Sequence, residues 1–172
     1  MVSLFHNKYR VESTRLRSWD YSSSAAYFVT LCTFNKDQYF GAITNEEMHW
    51  SRLGIVANDC WLAIPQHFPF VDLDVFTVMP NHVHGIIGIN RTFDNQKEQS
   101  GNNFGPQSKN LGSIMRGYKI GVTNYAKENN LAFKWQPRFH DHIIRNEEEC
   151  LKIRNYIITN PQRWREDKFY RK

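Results

Sequence analysis

At 172 residues, with 41% hydrophobic and 15% aromatic side chains, the chain is long enough to bury one core and too short for two ordinary domains. It contains no run of about eighteen apolar residues, and its start, MVSLFHNKYR, lacks the apolar stretch and cleavage site of a secretory leader, so a soluble, cytoplasmic protein is expected, with no membrane partner. Cys32, Cys60 and Cys150 are far apart, odd in number and form no CxxC pair, a pattern that indicates neither a disulfide framework nor a zinc knuckle and reads as small core fillers. A net charge of +5 and a pI near 9.2, with basic clusters at 8–17, 116–127 and 163–172, favour a polyanionic partner.

In chain order, Tyr27 to Phe34 is rich in β-branched and aromatic residues and ends on the turn-forming Asn35-Lys36-Asp37, which predicts a buried strand. Tyr39 to Ile43 is expected to return as its hairpin partner. Leu53, Val56, Ala57, Cys60, Ile64 and Phe68 recur at three and four residues, predicting a helix that Pro65 kinks or ends. Val75 to Met79 and His82 to Ile89 read as antiparallel strands joined at Pro80-Asn81. The polar stretch 90–109 reads as a long flexible loop. Leu111 to Asn129 has a helical apolar stripe that takes in Tyr118 and Tyr125, and Lys134 to Arg145 reads as a fourth strand. Asn146 with Glu149 three residues later predicts the capped start of a last helix, limited by Pro161. The order strand, helix, strand, strand, helix, strand is that of an α+β, ferredoxin-like sandwich: an antiparallel sheet with helices on one face, plus a C-terminal helix that carries a tyrosine. A single domain over 1–172 is expected, its core spanning about 20–165 between basic extensions.

Two features carry chemistry. His82 and His84 are two residues apart on a predicted strand, so both imidazoles point to one face, about 7 Å apart at the backbone, and can converge on one ion. Tyr156 and Asn160 are four apart on a predicted helix and therefore share a face. Two imidazoles and an amide oxygen leave coordination positions open for phosphate oxygens and water, as Lewis-acid phosphoryl transfer requires; Mg or Mn is the expected ion.

Taken in order, Tyr27-Phe-Val-Thr-Leu-Cys-Thr, Met79-Pro-Asn-His-Val-His-Gly-Ile-Ile87, Trp135-Gln136, Phe139-His-Asp-His-Ile-Ile-Arg145 and Tyr156-Ile-Ile-Thr-Asn-Pro161 resemble the motif series of the HUH single-tyrosine transposases, most of all the REP-associated branch. The likeness extends to Arg15-Leu-Arg-Ser-Trp-Asp-Tyr21. It implies a transposase-like enzyme that nicks and joins single-stranded, hairpin-bearing DNA. His82, His84 and Asn160 would hold the metal, and Tyr156 would be the nucleophile of a 5′-phosphotyrosine intermediate. Relatives of this family often have Gln where this chain has Asn160. The family includes monomers and dimers that exchange the tyrosine helix, so a homodimer stays open here; no nucleotide cofactor is implied. The acceptor of the phenolic proton is not legible.

His140-Asp141-His142 is a second HxH, for which Asp141 and His142 are read as packing behind the metal ligands. Arg116, Lys119, Arg138 and Arg145, with Arg15 and Arg17, are candidate phosphate contacts, and Trp135 a candidate stacking platform for unpaired bases. Two other readings compete: a non-catalytic DNA-binding regulator, and a zinc metallohydrolase that uses His82, His84, His140 and His142.

Overall fold

A computed structural model describes residues 24–90 and 109–171. Arg15, Arg17 and nearly all of the 90–109 stretch lie outside the described residues.

Among these residues a four-stranded antiparallel sheet runs in the order β4-β5-β1-β6, from β1 (Ala25–Cys32), β4 (Val71–Met79), β5 (His82–Ile89) and β6 (His140–Ile144). Two main helices, α1 (Arg52–Leu62) and α3 (Leu111–Glu128), pack together, and a third, α4 (Glu147–Thr159), packs on β4 and β5. The expected ferredoxin-like α+β architecture is present. No helix among the described residues is long and apolar enough to cross a membrane.

Alternation along β1 gives the sheet two different faces. Tyr27, Val29 and Leu31, with Val83 and Ile87 of β5, enter the core with Trp61 of α1 and Ile114, Met115, Tyr118 and Val122 of α3. Trp61 lies against the core face of the sheet at Gly85, where an added Cβ would stand 2.2 Å from its ring, so only glycine lets the indole seat there. Tyr118 is buried, donates its hydroxyl to the Ala57 carbonyl at 3.1 Å and belongs to this core, as its spacing predicts. The opposite face carries Phe28, Thr30 and Cys32 of β1, His82 and His84 of β5, and His140 and His142 of β6.

Several expectations need correction. The 39–43 segment does not pair with β1; β2 (Gly41–Thr44) and β3 (Glu47–Trp50) form their own two-stranded sheet, turning through Asn45 and Glu46 at positive φ. The helix over 53–68 is two helices, α1 and the short α2 (Ile64–His67), with Pro65 in the first turn of the second, where its missing N–H costs nothing. Strand β4 starts at Val71 rather than Val75. A register shift between Leu73 and Phe76 inverts the apolar alternation there and hides the first half of the strand from a period-two reading.

The fourth strand covers only His140–Ile144. Arg138 has φ 68, and Trp135 makes one isolated bridge to Thr33. Trp135 is also no stacking platform. It is 9% exposed, packs against Phe40, Phe133 and Tyr118, and donates its indole N–H to the Lys119 carbonyl at 3.2 Å.

Candidate active site

Strand β5 brings His82 and His84 to the middle of the sheet, flanked by β4 and β1, and α4 with the segment after it closes over them. Both imidazoles are fully buried, with ring centroids 4.4 Å apart. Two hydrogen bonds orient them. Nδ1 of His82 lies 2.8 Å from Asn81 Oδ1; an amide oxygen only accepts, so Nδ1 carries the proton and Nε2 keeps its lone pair. Nδ1 of His84 lies 2.8 Å from Thr30 Oγ1.

Burial pushes the His82 pKa down to about 3, assisted by the ammonium groups of Lys168 and Lys36. Burial likewise holds His84 well below its ordinary value, with His82 beside it. Both rings are neutral at physiological pH, the state that binds a metal.

Helix α4 is capped as expected: Asn146 accepts the Glu149 N–H at 2.8 Å, and three glutamates occupy the first turn at the positive end of the helix dipole. The reciprocal bond differs. Glu149 accepts from the Arg145 N–H at 2.8 Å and from His142 Nε2 at 2.7 Å, rather than from Asn146. The helix then delivers Tyr156 and Asn160 to the histidines, one turn apart. The Tyr156 hydroxyl stands 3.2 Å from His84 Nε2 and 3.3 Å from Asp167 Oδ2. Asn160, 2% exposed, donates Nδ2–H to Asp167 Oδ2 at 2.8 Å. Partial burial and the Asp167 carboxylate push the Tyr156 pKa up to about 12, so the phenol keeps its proton at neutral pH.

Two buried acceptors, His82 Nε2 and Asn160 Oδ1, have no hydrogen-bond partner. Orphaned acceptors this deep are costly, and a bound cation would satisfy such atoms. Ligand atoms of His82, His84 and Asp167 all lie within 4.8 Å of one another. The two imidazoles and the Asp167 carboxylate could together hold a metal ion, and the Asn160 amide, bonded to Asp167, lies beside them.

Asp167, a central member of this cluster, is absent from the sequence reading. It follows the short 3-10 turn Trp164–Glu166 and looks like one acid among the solvated charges of a basic tail. Phe169 was missed in the same way: its ring centroid is 4.6 Å from that of His82 and 5.8 Å from that of His84. Asn81, read only as a turn residue, is fully buried. Besides orienting His82 it donates to the Lys36 and Phe169 carbonyls at 2.9 and 2.8 Å, tying the C-terminal segment to the histidine strand.

The remaining candidates lie elsewhere. Asp141 pairs with Val29 and so sits on the core face, away from the imidazoles; His142 is at the sheet edge, bonded to Glu149. Neither packs behind His82 or His84, which are oriented by Asn81 and Thr30 instead. His140 is exposed, and the metal-compatible cluster among the described residues contains neither His140 nor His142, which removes the four-histidine zinc site. Lys119 spends its ammonium on the Gln136 and Arg138 carbonyls, and burial lowers its pKa to about 8, so it fastens a loop instead of facing a phosphate. Arg116, Arg138 and Arg145 are exposed.

No protein-family model matches the chain. An uncharacterised protein of Haemophilus influenzae is 41% identical over 170 residues, covering 92% of each chain. Among solved structures, a REP-associated tyrosine transposase bound to a REP hairpin superimposes with a TM-score of 0.60 at 20% identity, over 88% of this chain and 74% of that one. A protein of Deinococcus radiodurans R1 aligns at 0.45 and 15% identity, over 85% of this chain and 96% of that one, too distant to add to the comparison.

Proposed function

We propose that this chain, which belongs to one family with the Haemophilus influenzae protein and has the fold of the REP-associated tyrosine transposase, is a transposase-like enzyme that nicks and joins single-stranded, hairpin-bearing DNA. The observation that carries this reading is one constellation. The Tyr156 hydroxyl lies 3.2 Å from Nε2 of His84, one of a buried histidine pair, and two buried acceptors of the same cluster, His82 Nε2 and Asn160 Oδ1, are unpartnered.

His82, His84 and Asn160 would hold the cation, with Asp167 beside them. When bound, Mg or Mn supplies positive charge at the scissile phosphate. The chain's own residues do the rest. Asn81 and Thr30 fix the imidazoles, while Phe169 and Trp164 exclude water from the His82 side. Tyr156 Oη attacks phosphorus, the bond to the 3′ oxygen breaks, and a 5′-phosphotyrosine and a free 3′-hydroxyl result. A pKa near 12 requires that the phenolic proton leave as the oxygen attacks. Two acceptors are within reach, His84 Nε2 and Asp167 Oδ2. His84 Nε2 would offer its one lone pair to the cation, whereas the Asp167 carboxylate has lone pairs beyond any it lends to the cluster. That carboxylate would take the phenolic proton, and the departing 3′ oxygen would take up a proton in turn. Because the ester conserves the bond energy, a second 3′-hydroxyl can reverse the step and join strands without ATP.

Incubating the chain with hairpin-bearing oligonucleotides and Mg or Mn should give a covalent adduct that resists denaturation and disappears in Tyr156→Phe. Absence of adduct from the wild type, or an undiminished one from Tyr156→Phe, overturns the assignment. Salt-sensitive binding without any cleavage would instead identify a DNA-binding regulator.

A further inference from the structure

Beside the tyrosine hydroxyl lies an open cavity of about 390 Å³ lined by Phe28, His84, Tyr156, Glu166, Asp167 and Lys168. Phe28 stands on β1 at the flank of the region that α4 covers. Its ring centroid is 5.3 Å from that of His84 and 6.2 Å, edge to face, from that of Tyr156, and it stays half-buried with one side toward the cavity. The ammonium of Lys168 sits over the Phe169 ring, 4.9 Å from its centroid, and the side chain itself is exposed. Glu166, the outer acid, is paired with Arg163 at 3.2 Å, so its charge is compensated.

We propose that Phe28 and Lys168 form the subsite for one unpaired nucleotide flanking the scissile phosphate, its base packed on the Phe28 ring and its phosphate against the Lys168 ammonium. This rests on the function proposed above. A phosphate poised for attack lies about 3–3.5 Å from Tyr156 Oη. The sugar and base attached to it must then occupy the adjoining space, and Phe28 is the aromatic wall there. The volume is at the small end of ligand pockets and is enough for one nucleotide. Aromatic stacking accepts any base, while the ammonium needs a phosphate beside it. This chemistry selects an unpaired strand over a duplex, whose bases are already stacked on one another.

The test uses the full chain and a fluorescein-labelled hairpin oligonucleotide with single-stranded flanks, read by anisotropy in EDTA and by adduct formation with Mn. Phe28→Leu, which keeps the apolar volume, should weaken binding about tenfold, and Phe28→Trp should restore it. An abasic site at one flanking position should cost the wild type a similar factor and cost Phe28→Leu almost nothing more. Lys168→Gln should reduce the salt slope of binding by about one. Unchanged binding by Phe28→Leu, or abasic and Phe28→Leu losses that simply multiply, overturns the subsite while a Tyr156-dependent adduct leaves the enzyme assignment standing. A wild type that neither binds nor forms an adduct overturns both.

Discussion

His82-Val83-His84 and His140-Asp141-His142 have the same spacing, and because β5 and β6 both flank β1 they present their imidazoles on the same face of one sheet. Their surroundings could hardly differ more. The first pair lies on a strand bounded on both sides and roofed by α4, Trp164 and Phe169; the second lies on the last strand of the order, with His140 and His142 exposed. Spacing puts two imidazoles on one face, but coverage is what separates a candidate ligand pair from two solvated rings. Loss of water keeps the rings neutral, and fixed acceptors choose their tautomer.

The largest expected effect breaks the pair that is covered. His82→Ala or His84→Ala should abolish saturable Mn binding, followed by electron paramagnetic resonance, and lower adduct yield by more than about 100-fold, beyond what loss of a residue behind a ligand produces. Next comes the tautomer lock. Asn81→Ala removes the acceptor for His82 Nδ1–H and should weaken Mn affinity by about 10–100-fold in calorimetric titration. Asn81→Asp, which keeps an oxygen there, should recover part of it.

A third prediction concerns pH. A histidine in the unfolded chain takes up a proton below about pH 6.5, whereas folded His82 resists until about 3. Between these values the unfolded state binds more protons, so stability rises with pH and is lost as pH falls through that window. The slope is at most about 1.4 kcal/mol per pH unit for each such histidine. Thermal unfolding of the metal-free protein at stepped pH should show this decline, and His82→Gln should make it shallower. The smallest effect belongs to the exposed pair: His142→Ala removes an exposed hydrogen bond to Glu149 and should leave the Mn affinity unchanged. A large loss of metal affinity there would erase the contrast between the two pairs.

What could be read in advance follows the range of the interaction. The bounds of β5, the Asn146 cap of α4 and the shared face of Tyr156 and Asn160 are consequences of backbone periodicity over a few residues, and they stand in the structure as the sequence implies. The start of β4 was not legible, because a bulge shifts the phase of alternation within the strand. Nor was the pairing of β2, whose few residues fit either partner.

The ferredoxin-like order of elements was legible in the sequence, and the ordered motif series, more than spacing, singled out His82, His84, Tyr156 and Asn160, which the structure brings together. Tertiary structure alone decided which HxH pair is buried, that Trp135 belongs to the core, and that Asp167 and Phe169 fold back from the tail to meet β5. It also decided that Asn81 holds both ends of that contact. The reason is physical. Side-chain direction on a strand or helix is set by neighbours a few bonds away, whereas burial and the partners of a polar atom depend on segments many residues apart meeting in space.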